Sequence, residues 1–541
     1  MSRRQALAGV AGAAALIAVL TVLARLAGFG RTLVFTNTVG AGSTGDTYLA
    51  ANNVPNIVFE VVAGGALASL VVPMLAGGIA TGDRDQVRRT ASALLGWSLL
   101  VLVPLAVGVA VFAEPIARLL LGSADDAQVQ LAARFLLVFA PQVVLYGIGI
   151  VLTGVLQAHR RFGAPALAPL LSSVVVAGAY VAFAVVGGSR SAGDLSTPAE
   201  LVLSVGTTLG VVALTLSLLL PVRRLGLRLR LSLRFPVGAA PRVRRLAVAG
   251  VLTLAGQQLV AAVAIRLANT DAPDGTQVVY AAGLTLFLVP WAAIAVPLAV
   301  SAYPGLAERA GTGDDDGFRR ALAPVAVLVL VGTLVAAAVL VAVSGPMARV
   351  FLTGGPPATV GALRDTIVAF APGLPGYGLV ALLTRALYAR GLWKAPTVCV
   401  LGGWLLAVAA DVVLAAVLPA ADRGLALGTG HSIGVTAAGL GLLVVVARVV
   451  GPAGLTGVLR TGLPALVAAA LAAAAGLLVA GTLGADPVPR GSLPATVGAG
   501  GLAAAAALAV AAAVMMGTAR GPLRSAVRML RSTDRQEVHG G

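Results

Sequence analysis

The chain has 541 residues, of which 58% are hydrophobic, 11% charged and 4% aromatic, with a mean hydropathy of +0.97. Soluble globular proteins carry about 25% charged residues, so a water-soluble fold is excluded, and the many apolar runs of about 20 residues or more mark a polytopic membrane protein. The net charge of +17 does not signal nucleic-acid binding, because no stretch is long and polar enough to present a basic face.

Apolar runs bounded by charge or Gly/Pro clusters predict fourteen helices, at about 12–35, 47–75, 91–112, 131–156, 165–187, 200–220, 245–268, 277–302, 321–343, 364–388, 396–418, 429–450, 463–483 and 494–516. The first is read as a mature helix rather than a cleaved signal, since its apolar run is too long and continues through Arg25 and Arg31. Of the 38 basic residues, 27 lie before the first span or after even-numbered spans, and eight lie in or beside the loops after odd-numbered ones. The positive-inside rule then places both termini in the cytoplasm. Two segments carry the excess. The 221–245 connection interleaves Arg223, Arg224, Arg228, Arg230, Arg234, Arg242, Arg244 and Arg245 with Leu225, Leu227, Leu229, Leu231 and Leu233, a pattern that suits a segment lying on anionic headgroups and reads either as topology anchoring or as specific lipid regulation. In the tail, 517–541, Arg520, Arg524, Arg528, Arg531 and Arg535 recur at helical spacing. The single cysteine, Cys399, and the scattered His159, His431 and His539 support neither a disulfide framework nor a metal site, and no cofactor is expected.

A shift of 231 residues superposes the chain on itself without a gap. Thr81-Gly82-Asp83 falls on Thr312-Gly313-Asp314, Arg88-Arg89 on Arg319-Arg320, Phe139-Ala140-Pro141 on Phe370-Ala371-Pro372, and Tyr146-Gly147 on Tyr377-Gly378. From Pro73 to Pro165, 28 of 93 positions are identical, and an Ala/Leu bias does not place matching Pro, Asp, Tyr and Arg. The period covers six helices, so the two copies share one orientation in the membrane, the parallel-repeat architecture of alternating-access carriers. The expected organisation is an N-lobe over 1–220, a basic linker over 221–245, a C-lobe over 246–450, and two further helices over 451–516.

Ionisable and amide side chains inside spans are functional candidates because each costs several kcal/mol there, about 2.5–3.5 on the mildest scale for a central charge. Arg25 and Arg31 lie six apart in the first span, about 9 Å of helix rise. Asp46 opens the second span, and Asn52, Asn53 and Asn56 around Pro55, with Glu60, give that helix a polar stripe at i, i+4 spacing. Arg25 and the Asn stripe read either as an interhelical pair locking the lobe or as a cavity wall for an anionic headgroup, and Asp46 reads equally as a helix cap and as an ion partner. Gln257 and Gln258, Arg385 and Asp411 are secondary candidates, with Arg385 and Asp411 reading as structural. Gly40-Ala41-Gly42-Ser43-Thr44-Gly45 fits G-x-G-x-x-G but follows no strand, so it reads as a tight extracytoplasmic turn rather than a dinucleotide site.

Ala24-Arg25-Leu26-Ala27-Gly28-Phe29-Gly30-Arg31, Gly40-Ala41-Gly42 with Asp46, Val54-Pro55-Asn56, the run from Leu156 to Pro169 and Arg385-Ala386-Leu387-Tyr388-Ala389 together resemble the MviN/MurJ family. The resemblance covers about residues 10–450. It implies the multidrug/oligosaccharidyl-lipid/polysaccharide exporter fold and a flippase moving the undecaprenyl-diphosphate-linked peptidoglycan precursor to the outer leaflet. It also implies that Arg25 and Arg31 match the family's first-helix arginines, that Asp46 matches its acidic residue at the start of helix 2, and that the last two helices form a groove for the lipid tail. A diphosphate suits the forked donors of arginine. The chain departs from the family pattern in carrying Phe59 and Glu60 where basic residues are common, and in lacking an arginine between Tyr280 and Pro290.

The leading expectation is therefore a lipid-linked precursor flippase, not an enzyme, whose partners are its lipid-linked oligosaccharide, membrane lipids and cell-wall synthesis enzymes. A coupling ion or the membrane potential would drive it. Transport of another polyprenyl-linked glycan, ion-coupled drug or cation export through Glu60 or Asp46, and a non-transporting scaffold are the competing readings.

Overall fold

The computed structural model describes residues 3–61, 68–227, 229–233, 240–488 and 491–518, and among them there is helix and no strand. That follows from the solvent: in hydrocarbon every backbone N–H and C=O must be satisfied inside its own segment, which a helix of Ala, Leu and Val does. Residues 62–67 of the expected second span, Arg228, Arg234 and the tail arginines from Arg520 onward lie outside the described residues.

Two compact units divide the chain, Met1–Val278 and Val279–Gly541. The first holds α1 (Arg3–Thr38), α2 (Ser43–Phe59), α3 (Ala68–Ala80), α4 (Arg84–Val111), α5 (Ala113–Leu121), α6 (Asp126–Ala158), α7 (Gly163–Val185), α8 (Thr197–Arg223), α9 (Ala240–Ala268) and the start of α10 (Thr276–Pro290). The second holds the rest of α10, then α11 (Val296–Thr312), α12 (Asp315–Ala342), α13 (Ser344–Phe351), α14 (Pro357–Phe370), α15 (Gly373–Ala389), α16 (Lys394–Val417), α17 (Arg423–Val449), α18 (Thr456–Thr482) and α19 (Leu493–Thr518).

Ten helices among the described residues are long and apolar enough to cross a membrane, eleven if α14 and α15, bent by 45°, are one span. The other three expected spans fall on α1, on α2 with α3, and on α9, of which Leu254–Ala268 is the shorter apolar part. Ten or eleven is thus what is observed where fourteen were expected. The division at Val278 places α9 with the first unit because α9 packs on α2, α3 and α5.

The 231-residue repeat reappears in element boundaries. It carries Arg84–Val111 onto Asp315–Ala342, and Asp126–Ala158 onto the pair Pro357–Phe370 and Gly373–Ala389. Asp83 caps α4 by accepting the Gln86 N–H at 2.8 Å, and its equivalent Asp314 caps α12 by accepting the Gly317 N–H at 2.8 Å. Pro141 is absorbed inside α6, whereas its equivalent Pro372 sits at the α14–α15 bend. A proline lacks the N–H that would continue the ladder, so either outcome is available and packing decides.

In the first unit, α6 is the central helix, touching α2, α3, α4, α5 and α8. Its core is aromatic, with Tyr48, Phe135, Phe139 and Phe183 fully buried. In the second unit α17 lies against α14, α15 and α16, and α12 against α15 and α18. Helix approach there depends on absent side chains: a Cβ on Gly439 of α17 would stand 2.7 Å from the Gly376 carbonyl oxygen of α15. With lipid as apolar as leucine, such close small-residue contact is what holds spans together.

Candidate functional site

Helix α2 is entered through the Gly40–Gly45 turn. Gly40 has φ +82°, and the Thr44 N–H donates to the Arg190 carbonyl at 3.0 Å while Ser43 Oγ accepts the Ala192 N–H at 3.0 Å. The motif is a tight turn, pinned by the loop around Arg190 and without a nucleotide-binding strand beside it.

Asp46, one turn into α2, is 4% exposed. Its Oδ2 accepts the Gly275 N–H at 2.6 Å and its Oδ1 the Val278 N–H at 3.0 Å. Gly275 precedes α10 and has no side chain with which to cap it, so Asp46 supplies the cap from another helix. A carboxylate is the favoured acceptor at a helix N-terminus, where unpaired N–H groups and the helix dipole coincide. Of the two roles open to Asp46 in the sequence, the structure thus displays the cap, placed on α10 rather than on α2.

Below Asp46 a cluster of hydroxyls crosses the first unit. Tyr48 Oη shares hydrogen bonds with Tyr180 Oη of α7 at 2.9 Å and Thr207 Oγ1 of α8 at 2.8 Å. Phe35 of α1 packs on both tyrosine rings, with centroids 5.4 and 5.1 Å away. Phe59, near the end of α2, stacks obliquely on Tyr146 of α6 at 4.9 Å. Arg31 of α1 is half-buried, one turn before the Phe35 that packs on Tyr48 and Tyr180. Among the described residues Arg31 makes no ion pair. Its forked donors are therefore uncommitted to a carboxylate, and such a group is suited to an anionic ligand.

The other expected residues are placed differently. Arg25 is exposed, on a stretch of α1 where Val19, Val22, Leu23 and Leu26 are exposed as well. No hydrogen bond joins Arg25 to Asn52, Asn53, Asn56 or Glu60. Asn53 donates to the Leu49 carbonyl at 2.8 Å and Asn56 to the Asn52 carbonyl at 3.0 Å, so part of the polar stripe serves its own helix around Pro55. Asn52 and Glu60 are half-buried, and no ion pair of Glu60 occurs among the described residues. Gln257 is exposed on α9 and Gln258 half-buried beside it. Arg385 belongs to the second unit and donates to the Ala381 carbonyl of its own helix at 2.7 Å.

Sequence reading assigned no role to His431. It lies buried on α17 with neither ring nitrogen hydrogen-bonded, ringed by Phe287, Phe370, Tyr377 and Trp404 at centroid distances of 5.5, 5.3, 6.5 and 5.6 Å. Asp411 of α16 is fully buried with both carboxylate oxygens unbonded, packed against Gly430. The matched Tyr146 and Tyr377 of the repeat were the one sequence signal that pointed toward either aromatic cluster.

Comparison with known proteins fits this architecture. The family described as lipid II flippase MurJ matches residues 35–485. A probable lipid II flippase MurJ of Rhizobium tropici is 27% identical over 420 residues, 75% of each chain, and a lipid II flippase MurJ of Burkholderia cenocepacia is 29% identical over 169 residues, 30% of this chain and 32% of that one. Among solved structures, lipid II flippase MurJ in an inward closed conformation superposes with a TM-score of 0.72 at 17% identity, covering 92% of this chain and 98% of its own. An inward-facing multidrug resistance MATE family transporter of the MOP superfamily gives 0.63 at 16% identity, covering 80% and 94%. At these identities the structural likeness is one of fold. With a family match that takes in most of the sequence, the chain belongs to the lipid II flippase MurJ family, a family of transporters and not of enzymes.

Proposed function

We propose that this chain moves lipid II, the undecaprenyl-diphosphate-linked peptidoglycan precursor, from the inner to the outer leaflet of the bacterial cytoplasmic membrane by alternating access, and that Arg31 holds the diphosphate. The observation that carries the assignment is the Arg31 guanidinium, half-buried one turn before the Phe35 that packs on Tyr48 and Tyr180, and free of any carboxylate among the described residues. A diphosphate offers that fork two or more oxygens, and a charge-assisted bidentate contact is about twice as strong as a neutral one. Arg25, exposed on the cytoplasmic side of Arg31 along α1, meets the headgroup before Arg31 does. Asn52, Asn56 and Glu60 tune the polarity of the same face, and Asp46 serves by fixing α2 against α10. The apolar α18 and α19 receive the polyprenyl tail. Both termini lie in the cytoplasm, as the arginine distribution supports, and the membrane potential, worth about 2.3 kcal/mol per charge per 100 mV, resets the carrier.

The test is depletion of a host's own flippase and rescue by this chain, with lipid II exposure on the outer face as the readout. Wild type restores exposure. Arg31→Ala, at equal membrane abundance, reduces it at least tenfold, and Arg31→Lys restores part of it because a point charge replaces a fork. Full exposure with Arg31→Ala overturns the assignment of Arg31; failure of wild type to rescue overturns lipid II as substrate, and another polyprenyl-linked glycan is then the cargo to assay.

A further inference from the structure

The segment that leaves α8 is not a loose connection. After Arg223 the chain turns at Gly226, with φ +72°, and Leu225, Leu227 and Leu229 pack onto the apolar cluster built by Val71, Leu94, Val155 and Leu218. It then runs extended along α4. The Arg230 N–H donates to Ser92 Oγ at 3.1 Å, and Trp97 Nε1 donates to the Leu233 carbonyl at 2.9 Å. Gly96 makes the approach possible, because a Cβ there would stand 2.1 Å from the Ser232 carbonyl oxygen. Two hydrogen bonds and one close backbone approach therefore fix the strap to α4.

What it presents outward is divided by chemistry. Arg223, Arg224 and Arg230 are exposed, while Leu231, Leu233 and Trp97 are 70%, 51% and 42% exposed. In a soluble protein those three apolar side chains would be a liability. Here their depth explains them. The apolar span of α4 begins at about residue 91, so Arg230, beside Ser92, lies at the bilayer boundary. Leu231 and Leu233 follow α4 inward toward Trp97, and the five residues from Ser92 to Trp97 amount to about 7.5 Å of rise. Interfacial segments bury their apolar side by about 5–10 Å, and tryptophan favours the same level. The arginines then stand where lipid phosphates lie and the leucines where acyl chains begin.

We infer that the strap formed by residues 223–227 and 229–233 is a binding site for an anionic phospholipid of the leaflet it faces, with Arg223, Arg224 and Arg230 on the headgroup and Leu231, Leu233 and Trp97 against the acyl chains. A zwitterionic lipid satisfies the apolar half only, and a free phosphate the cationic half only. The ligand is separate from the transported substrate, and the inference stands whether or not the proposed cargo is correct.

The experiment titrates dioleoyl phosphatidylglycerol, with dioleoyl phosphatidylcholine as reference, into the purified full chain in detergent and counts bound lipid by native mass spectrometry. Wild type prefers phosphatidylglycerol. The exposed triple variant Arg223→Gln/Arg224→Gln/Arg230→Gln loses that preference, about a hundredfold in affinity at roughly fivefold per arginine. A control of equal charge change, Arg84→Gln/Arg88→Gln/Arg89→Gln, stays within about twofold of wild type. Leu231→Ser/Leu233→Ser weakens binding of both lipids. An unchanged preference in the strap variant, an equal loss in the control, or full displacement of phosphatidylglycerol by glycerol phosphate at similar concentration overturns the site: the first places the lipid elsewhere, the second reduces it to general charge, and the third makes it a free-anion site.

Discussion

Removing the Asp46 carboxylate tests whether a cap donated across helices holds α10 in place. Asp46→Ala leaves the N–H groups of Gly275 and Val278, now bonded at 2.6 and 3.0 Å to a side chain 4% exposed, without acceptors in a buried setting. An ordinary cap deletion costs about 0.5–2 kcal/mol, and a buried donor left unsatisfied costs about 1–3 kcal/mol. Two donors, less the relief of no longer burying a carboxylate, give a net loss of about 2–4 kcal/mol. Water reaching the freed amides sets the lower end. Asp46→Asn keeps one acceptor oxygen and loses about half as much. Because unfolding of a protein this size need not be two-state, the assay is hydrogen exchange at the amides of 275–278 in detergent, where that loss appears as a fall in protection of about 30- to 900-fold, with a lowered midpoint of thermal aggregation alongside. Unchanged protection in Asp46→Ala would refute the reasoning and return Asp46 to the role of an ion partner.

Two further predictions concern the scaffold. Gly376→Ala drives a Cβ to within 2.5 Å of Thr436 Cα and 2.8 Å of the Val435 carbonyl, so the α15–α17 contact must open; overpacking of this kind costs about 1–3 kcal/mol, read as a lowered thermal midpoint, while Gly402→Ala, inside α16 where a Cβ meets nothing within 4 Å, holds or raises the midpoint because alanine is the better helix former. The repeat makes Asp83 and Asp314 equivalent caps, each bonded to an N–H at 2.8 Å, so Asp83→Ala and Asp314→Ala each cost about 1 kcal/mol and their effects add; strongly unequal losses in thermal midpoint would show that the two helix starts are not the same device.

Much of the fold was legible because it is written in period and composition. Apolar length marks a span without any knowledge of partners, and a gapless repeat preserves helix starts, which is why Asp83 and Asp314 fall on matching caps. What the repeat did not carry is the state of each proline. Pro141 and Pro372 occupy one position in two copies, yet α6 runs through the first and α14 and α15 part at the second. A proline removes the same hydrogen bond in both places; the neighbours that accept a bend come from elsewhere in the chain.

The candidate site was legible as residue types and not as contacts. Arg25, Arg31, Asp46 and the asparagines are conspicuous because polar groups are rare in spans, but rarity does not say what each group faces. Spacing set Arg25 and Arg31 about 9 Å apart along one helix, and packing then distinguished them: Arg31 is half-buried one turn before Phe35 while Arg25 stays exposed. Asp46 found its partners more than 220 residues away, in backbone N–H groups that no pattern of side chains announces. The asparagines turned partly to their own helix, each amide donating to the carbonyl four residues earlier, the local side-chain-to-backbone bond that competes with any longer reach. A residue type limits what chemistry is available at a position; whether that chemistry is turned toward the backbone, a neighbouring helix or a ligand is decided by which groups the fold leaves unsatisfied around it, and Arg31 is a half-buried cation that no carboxylate among the described residues neutralises.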